Sequence, residues 1–194
     1  MKYKIIFNGV QYDAVEEYYF HCYIFELFNS GFIKEFGMQP FEISLTSGLY
    51  NNYVEKIQLK TRIKKVDKKQ TILYPSVYTP DFNIVWNEKS NGIFYNLLND
   101  DKRITTPFIA NELNGDIYSI VECKPTFDSR NMTRLFINNQ KFIWDKYNKY
   151  INLIHIVDLF EKTFTPAEYL LTPTGKPKKL KYIPKTLNQF LHDR

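Results

Sequence analysis

Short apolar runs separated by turn-forming residues dominate this sequence and constrain what it can fold into. Residues 82–86, 117–122 and 152–157 are rich in β-branched and apolar side chains, which is typical of buried strands. Residues 130–150 instead place apolar side chains at helical spacing: Leu135, Phe136, Asn139, Phe142, Ile143 and Tyr147. The order of these segments predicts an α/β (α+β) chain with a mixed β-sheet flanked by helices.

The N-terminal region predicts a hairpin followed by a helix. Residues 2–7 alternate as a strand, Asn8-Gly9 is a strong two-residue turn signal, and residues 10–12 return. Asp13 fits an N-cap, with Glu16 completing a capping box, and the helix is expected to run to about Asn29. Because this helix is apolar on nearly every face, we expect it to be buried.

The middle of the chain predicts further strands and a long insertion. Residues 41–45 are expected to form a strand. Residues 53–62 and 71–74 are expected to pair around a polar turn at 64–70, placing a basic cluster on a projecting arm. Residues 87–116 separate two predicted strands by an unusual length, with possible extra strands near 94–98 and 105–110, and such insertions usually have a role of their own.

Length and composition predict one domain that is not a membrane protein. The 194 residues favour a domain over residues 1–163 followed by a basic tail over 164–194. No apolar run is long enough for a transmembrane helix, and no signal-peptide core is visible. Two cysteines are too few for a disulfide framework, which favours a reducing compartment and a cytoplasmic location.

The positive charge is concentrated in two stretches. Of a net charge of +5, residues 175–194 carry six basic residues against one acidic, and residues 56–69 carry seven basic residues against Asp67 alone. This distribution predicts a surface for a polyanion, and the alternative is a solvated hairpin with a frayed tail. The candidate nucleic-acid contacts are Lys60, Arg62, Lys64, Lys65, Lys68, Lys69, Lys178, Lys179 and Lys181.

Candidate chemistry lies at the ends of two predicted strands. Asp81 opens one strand, and Glu122-Cys123-Lys124 closes another, where residues i and i+2 share a face. Glu122 and Lys124 should therefore point the same way, with Cys123 pointing oppositely. Two carboxylates and the backbone carbonyl of Cys123 would make an oxygen site of the kind that Mg²⁺ prefers. The alternative is an edge-strand ion pair, with Asp81 capping a turn.

These residues resemble the PD-(D/E)xK nuclease superfamily. Tyr78-Thr79-Pro80-Asp81-Phe82 is similar to its "YTPDF" box and residues 121–124 to its "VEVK" segment. Residues 9–17 are similar to the hairpin-to-helix opening of small phage Holliday-junction-resolvase-like nucleases and of the TnsA transposon endonuclease, and Gln39-Pro40-Phe41 to the strand that follows. The resemblance covers about residues 8–158.

The resemblance implies a restriction-endonuclease-like fold and a metal-dependent DNA endonuclease encoded by a phage or a mobile element. It implies catalytic residues Glu17, Asp81, Glu122 and Lys124, and a Mg²⁺ ion, for which Mn²⁺ can substitute, on Asp81, Glu122, Cys123 and Glu17. Hydrolysis would leave a 5′-phosphate. The resemblance also implies a homodimer, or a complex with a partner transposase or phage protein. If the gene is phage-borne, the implied location is the host cytoplasm.

Two departures and one alternative accompany the resemblance. Ala14 stands where the relatives carry Ser, which aligns Glu17 with the family carboxylate and leaves Glu16 for capping. The stretch between Asp81 and Glu122 is also longer than usual. The alternative function is a non-cleaving nucleic-acid-binding or structural phage protein on the same fold. No zinc, P-loop or nucleophile-elbow motif is present, and His21 is expected to be a core residue.

Overall fold

The computed structural model describes residues 5–7, 9–98, 103–125, 132–172 and 175–194. These residues form two compact units, one made of Met1–Pro40 with Pro80–Arg194 and the other of Phe41–Thr79. Within the described ranges, every helix is too short or too polar to cross a lipid bilayer.

In the described part of the chain, a run of nine strands lies between the first and the second α-helix. In chain order the strands and helices are β1 (Ile5–Phe7), β2 (Val10–Tyr12), α1 (Val15–Asn29), β3 (Ile33–Met38), β4 (Ile43–Thr46), β5 (Leu49–Gln58), β6 (Ile63–Leu73), β7 (Ser76–Tyr78), β8 (Phe82–Trp86), β9 (Tyr95–Leu97), β10 (Phe108–Leu113), β11 (Asp116–Lys124), α2 (Met132–Tyr147), β12 (Ile151–His155), α3 (Ile156–Lys162) and α4 (Leu187–His192). Short 3₁₀ turns lie at Glu88–Ser90 and Ala167–Leu170.

A mixed sheet organises the first unit, as the sequence predicted. Its strand order is β3-β8-β11-β10-β9, and β12 also pairs with β11. β8 lies antiparallel to both β3 and β11, whereas β12 lies parallel to β11. The predicted N-terminal hairpin is also present, since β1 and β2 pair antiparallel with Phe7 opposite Val10. Residues 2–4 and Asn8 of that prediction lie outside the described residues.

Helix α1 packs on the sheet and is largely buried, as the sequence predicted, with its fully buried side chains concentrated on one face. Phe20, Tyr23, Ile24 and Leu27 follow the i, i+3, i+4, i+7 spacing and are fully buried. Phe25 lies on the opposite side and is 51% exposed. The Phe20 ring packs edge-on against Phe82 of β8, with ring centroids 5.0 Å apart.

The predicted capping box of α1 was wrong. The N-cap is Ala14, whose side chain cannot accept a hydrogen bond, rather than Asp13. Glu17, rather than Glu16, folds back at the start of the helix, and its Oε2 accepts a hydrogen bond from the Asp13 N–H at 3.1 Å. The helix therefore begins one residue later than the capping pattern indicated, and this shift places Glu17 at the third helical position.

Residues 87–116 extend the central sheet. Both strands predicted within this stretch exist, as β9 and β10, and they pair parallel to each other. Phe94 and Phe108 are completely buried in the main hydrophobic cluster. β10 turns directly into β11 at Asn114-Gly115, where φ is 53° and 86°. This conformation suits a two-residue hairpin loop, and Asn-Gly is the dipeptide that most favours it.

The second unit contains the predicted basic hairpin with a different turn. β5 and β6 pair antiparallel from Leu49 opposite Leu73 to Gln58 opposite Ile63. The chain reverses at residues 59–62, where the Leu59 N–H donates to the Arg62 carbonyl at 2.8 Å. The predicted turn at 64–70 is instead part of β6. The predicted strand at 41–45 corresponds to β4, which pairs with β7.

The C-terminal third contains the predicted helix, but its buried face is narrower than expected. Phe136 and Ile143 of α2 are buried, whereas Leu135 and Phe142 are 52% and 53% exposed. Residues 130–131 of the predicted helix lie outside the described residues. The strand predicted at 152–157 is β12, and the chain turns into α3 at Ile156.

The region after α3 packs into the first unit. Phe164, Leu187 and Phe190 all belong to the main hydrophobic cluster. Thr186 caps α4 through a capping box with Gln189. A frayed tail is therefore not what the structure shows for residues 187–192.

A buried hydrogen-bond chain ties three strands together and yields a prediction. Trp86 Nε1 donates to the Ser119 hydroxyl at 2.9 Å, and that hydroxyl donates to the Ile109 carbonyl at 3.0 Å. Ser119→Ala would leave the indole N–H buried without this acceptor. We expect a loss of about 1–3 kcal/mol in the free energy of unfolding, measured by urea denaturation.

Ser30→Ala is the matched control, because it makes the same change at an exposed position of the same unit. It should change the free energy of unfolding by less than about 0.5 kcal/mol. Equal effects of the two substitutions would contradict a structural role for the Ser119 hydroxyl.

Candidate active site

The antiparallel pairing of β8 with β11 brings the two predicted motifs to one end of the sheet. Phe82, the first residue of β8, lies opposite Val121 near the end of β11. Asp81 precedes Phe82 and Glu122 follows Val121, so the two carboxylates leave neighbouring strands at the same place. The structure thus brings together residues that are 41 positions apart in the sequence.

Backbone hydrogen bonds hold Asp81 in place. Its Oδ2 accepts a hydrogen bond from the Cys123 N–H at 2.7 Å. Its own carbonyl accepts one from the Gln39 N–H at 2.9 Å. The register of β8 with β11 stops at Val121, and beyond that point the Asp81 side chain provides the acceptor for β11.

Glu122 and Lys124 share a face of β11, as strand periodicity predicted. The Lys124 ammonium donates a hydrogen bond to Glu122 Oε1, forming an ion pair whose side chains are 18% and 8% exposed. Cys123 points the other way and is buried in the main hydrophobic cluster. Burial raises the pKa of its thiol well above the usual value, so the thiolate that would bind a metal is disfavoured, and the backbone carbonyl is the group of Cys123 that can act as a ligand.

Glu17 supplies the third carboxylate from the first turn of α1. Burial raises the pKa of Glu17 more than its hydrogen bond from Asp13 lowers it, and the charges of Asp13 and Glu122 raise it further. Its side chain interacts electrostatically with both Asp81 and Glu122, which places it at the same end of the sheet. The resemblance that selected Glu17 rather than Glu16 agrees with this placement.

The three carboxylates create an excess of negative charge. Burial, together with the charges of Glu122 and Glu17, raises the pKa of Asp81 to about 7. The Cys123 N–H and the Lys124 ammonium lower it without cancelling the effect. A cluster of acids that disfavour each other's ionised form in this way is typical of a functional site, because folding alone gains nothing from it.

Lys124 is the cation of the cluster. Burial alone would lower the pKa of its ammonium, but the hydrogen bond to Glu122 and the charges of Glu122 and Asp81 together raise it. Lys124 is therefore protonated at neutral pH, so it can stabilise negative charge or orient a water molecule but not abstract a proton.

Asn83 is a candidate site residue that the sequence analysis missed. It lies two residues after Asp81, on the face of β8 opposite the buried side chains of Phe82 and Ile84. Its Oδ1 is buried and accepts no hydrogen bond from any group among the described residues. A buried amide oxygen without a donor is costly, and it is available to a ligand on this face. The same alternation that paired Glu122 with Lys124 could have identified it.

The donor set fits a hard divalent cation. Three carboxylates and one backbone carbonyl are oxygen ligands of the kind that Mg²⁺ prefers. Because one ammonium accompanies three acids, the cluster has an excess of negative charge that a bound cation would neutralise. In the described part of the chain, no three His, Cys, Asp or Glu side chains are grouped closely enough to bind a metal as they stand. The Glu122 carboxylate faces Lys124 instead.

The predicted nucleic-acid contacts divide into two groups. Those between Lys60 and Lys69 are exposed and belong to the second unit. In the first unit Lys179 and Lys181 are exposed, whereas Lys178 lies over the rings of Tyr19 and Tyr169 and donates to the Tyr19 hydroxyl at 2.8 Å. Lys178 thus stabilises the fold.

His21 is a half-buried aromatic-packed residue, as expected. Its Nδ1 is hydrogen-bonded to the Tyr12 hydroxyl, and its ring packs against Phe36. Burial lowers the pKa of His21, which favours the neutral imidazole.

Comparisons with protein families, with curated proteins and with solved structures found no match to this chain.

The raised pKa of Asp81 predicts a pH-dependent stability. The folded pKa of about 7 exceeds the unfolded value near 3.8, so between these values the folded protein binds more protons. Stability should therefore fall as the pH rises from 4 to 7, by an amount on the order of 2–4 kcal/mol from this group. Asp81→Asn should remove this dependence and make the variant more stable than wild type at pH 8 without divalent cations.

Urea denaturation at pH 4.5, 6, 7 and 8 in a chelator measures this effect. Asp116→Asn is the control, because Asp116 is 60% exposed in a surface ion pair with Lys34. Its variant should retain the wild-type pH dependence. An Asp81→Asn variant less stable than wild type at pH 8 would contradict the electrostatic conflict described here.

Proposed function

We propose that this protein is a metal-dependent DNA endonuclease with a restriction-endonuclease-like fold. The observation that carries the proposal is the convergence of Asp81, Glu122, Lys124 and Glu17 from two strands and a helix at one end of the sheet. These are the residues that the resemblance to the PD-(D/E)xK superfamily selects. The mixed sheet flanked by helices supports the same assignment.

The residues would divide the chemistry between them. Asp81, Glu122, Glu17 and the Cys123 carbonyl would hold Mg²⁺ or Mn²⁺. A cation bound there lowers the pKa of a bound water and stabilises the negative charge that develops on a phosphodiester. Water adds to phosphorus and the bond to the 3′ oxygen breaks, which leaves a 5′-phosphate and a 3′-hydroxyl.

Lys124 would act through its charge. Because its pKa is raised, the ammonium persists at neutral pH and can orient the attacking water or neutralise the pentavalent phosphate. The Cys123 N–H donates a hydrogen bond to Asp81 Oδ2, so the backbone of β11 fixes the orientation of the Asp81 carboxylate. A ligand held by the main chain loses little freedom when it binds, which favours a site of fixed geometry.

DNA is the proposed substrate because the positive charge is concentrated. Residues 56–69 and 175–194 supply the basic surface that a polyanion requires. A homodimer, or a complex with a transposase or phage protein, is part of the same proposal, as is a location in the host cytoplasm. The substrate class includes branched junctions and duplex DNA.

Metal binding can be tested without any activity measurement. Because the carboxylates repel one another, Mn²⁺ at about ten to a hundred times its dissociation constant should raise the free energy of unfolding by about 1–3 kcal/mol. Asp81→Asn should abolish this stabilisation, whereas Asp116→Asn should retain it. Calorimetric titration with Mn²⁺ gives the stoichiometry, and equal stabilisation of wild type and Asp81→Asn would place the cation elsewhere.

Cleavage is tested on four-way junction, flap, duplex and single-stranded DNA with Mg²⁺ or Mn²⁺. Removing a group that stabilises charge in the transition state costs about 10²–10³-fold in rate. We therefore expect Asp81→Ala and Lys124→Ala to lose activity by at least this factor. Cleavage that survives both substitutions would contradict the site.

Glu16 and Glu17 provide a matched pair for the helix carboxylate. Glu17→Gln should reduce cleavage about tenfold to a hundredfold because Glu17 belongs to the cluster. Glu16→Gln should stay within about twofold of wild type. A protein that binds Mn²⁺ and DNA but cuts only after a partner is added would be the partner-activated, TnsA-like version. A protein that binds DNA without Mn²⁺ binding or cleavage would be the non-cleaving alternative.

A further inference from the structure

The paired strands β5 and β6 form a two-stranded ribbon that lacks a buried face. Every residue of β5 is exposed, and β6 is exposed except for the partly covered Val66 and Thr71. Two-stranded hairpins are at best marginally stable in water. Side chains on both faces include apolar ones, such as Val54 on one face and Ile57 on the other, which are 54% and 38% exposed. A ribbon of this kind gains stability when a ligand covers it.

The charge of the ribbon identifies the chemistry of that ligand. Residues 49–73 contain seven basic residues and two acidic ones, a net charge of +5. Lys56 lies directly opposite Lys65 in the register, where like charges destabilise a strand pair. The Lys68 ammonium has an acidic neighbour on the ribbon, Glu55 at 3.4 Å. A second copy of the same ribbon would add repulsion, so the charge favours a polyanion.

The cations occupy both faces and the tip of the ribbon. Alternation along β6 places Lys65 and Lys69 on one face and Lys64 and Lys68 on the other, while Lys60 and Arg62 lie at the turn. Lys69 lies over the Tyr50 ring, 3.6 Å from its centroid. A ligand that follows this pattern must present negative charge on two sides of the ribbon at once.

The major groove of duplex DNA has this arrangement. It is about 12 Å wide, it is walled by phosphates on both sides, and it admits a two-stranded ribbon. A sheet is about 10 Å thick, and ten residues of strand span about 33 Å, close to one turn of B-DNA.

We propose that the β5–β6 ribbon binds duplex DNA by entering its major groove, with one cationic face toward each phosphate backbone. The choice of DNA over another polyanion rests on the proposed function. The ribbon assignment itself rests on the register, the exposure and the charge of the second unit.

The test uses the full chain carrying Asp81→Asn, so that binding is measured without cleavage. Fluorescence anisotropy with a 20-base-pair duplex is compared for this protein and for the same protein with Lys56, Lys64 and Lys65 changed to Gln. We expect at least a tenfold loss of affinity at low salt. The slope of log K against log salt should fall in magnitude by roughly 2–3, because about 0.9 is lost per phosphate contact.

The control changes Lys141, Lys146 and Lys162 to Gln, which alters net charge equally at exposed positions of the first unit. It should lose less than about threefold in affinity. Circular dichroism and thermal unfolding establish that both triple variants are folded. Equal losses in the two variants would overturn the proposal, because the effect would then be one of net charge.

Groove occupancy is tested with duplexes whose pyrimidines carry bulky 5-substituents and with the minor-groove ligand netropsin. We expect the substituents to weaken wild-type binding and netropsin to leave it unchanged. The reverse pattern, or equal ribbon-dependent affinity for single strands, would overturn major-groove binding. A ribbon variant that changes the sedimentation coefficient of the free protein but not DNA affinity would show that a second copy occupies the ribbon.

Failure of this proposal and failure of the proposed function give different results. If the ribbon variant binds normally while Asp81→Ala and Lys124→Ala abolish cleavage, the ribbon proposal is wrong and the nuclease proposal stands. If the ribbon variant loses duplex binding but no divalent cation supports cleavage by wild type, the nuclease proposal is wrong and the ribbon proposal stands.

Discussion

The antiparallel pairing of β8 and β11 is the constraint on which the candidate site depends. Because Phe82 lies opposite Val121, the residue before β8 and the residue after Val121 must emerge at the same end of the sheet. Beyond the last paired residues, the Cys123 N–H donates its hydrogen bond to the Asp81 side chain instead of to a backbone carbonyl of β8. A shift of one residue in this register would send Glu122 and Lys124 to the opposite face and separate the two motifs. The packing of Phe20 of α1 against Phe82 favours this register, because a shift of one residue would remove the Phe82 ring from the core.

The site stores electrostatic free energy that the rest of the unit must offset. Three partly or fully buried acids lie at one end of the sheet with a single ammonium, and burial with mutual repulsion raises the pKa of Asp81 and of Glu17. A chain under selection for stability alone would replace such acids by apolar or amide side chains. Their presence in this sequence is explained if the cluster accepts a ligand that supplies positive charge. The same conflict is what makes a divalent cation a stabilising ligand here.

Sequence patterns predicted the parts of the fold whose environment is set locally. Residues 82–86 form the strand that their β-branched, apolar composition indicated, because this strand is buried between two neighbours. The turn of the basic hairpin was misplaced because β6 buries neither face, so its lysines produced no alternation to reveal a strand. The N-cap was misplaced by one residue because the capping pattern selects a residue whose side chain accepts a hydrogen bond, whereas the helix begins after Ala14 and Glu17 accepts the Asp13 N–H instead. The position of Asn114-Gly115, by contrast, was readable and would have joined β10 to β11.

The distribution of charge follows from the demands of the proposed chemistry. A cluster with three carboxylates repels the phosphates of a nucleic acid, so the attraction that brings a substrate to the protein must come from other residues. With seven basic and three acidic residues, Phe41–Thr79 carries +4 of the net charge of +5, and the first unit is close to neutral. The acids can therefore keep an excess of negative charge that is available to a metal cation, because the ribbon rather than the site attracts the nucleic acid at long range. A single basic surface around the acids would instead have neutralised them with lysines, as Lys124 already does for Glu122.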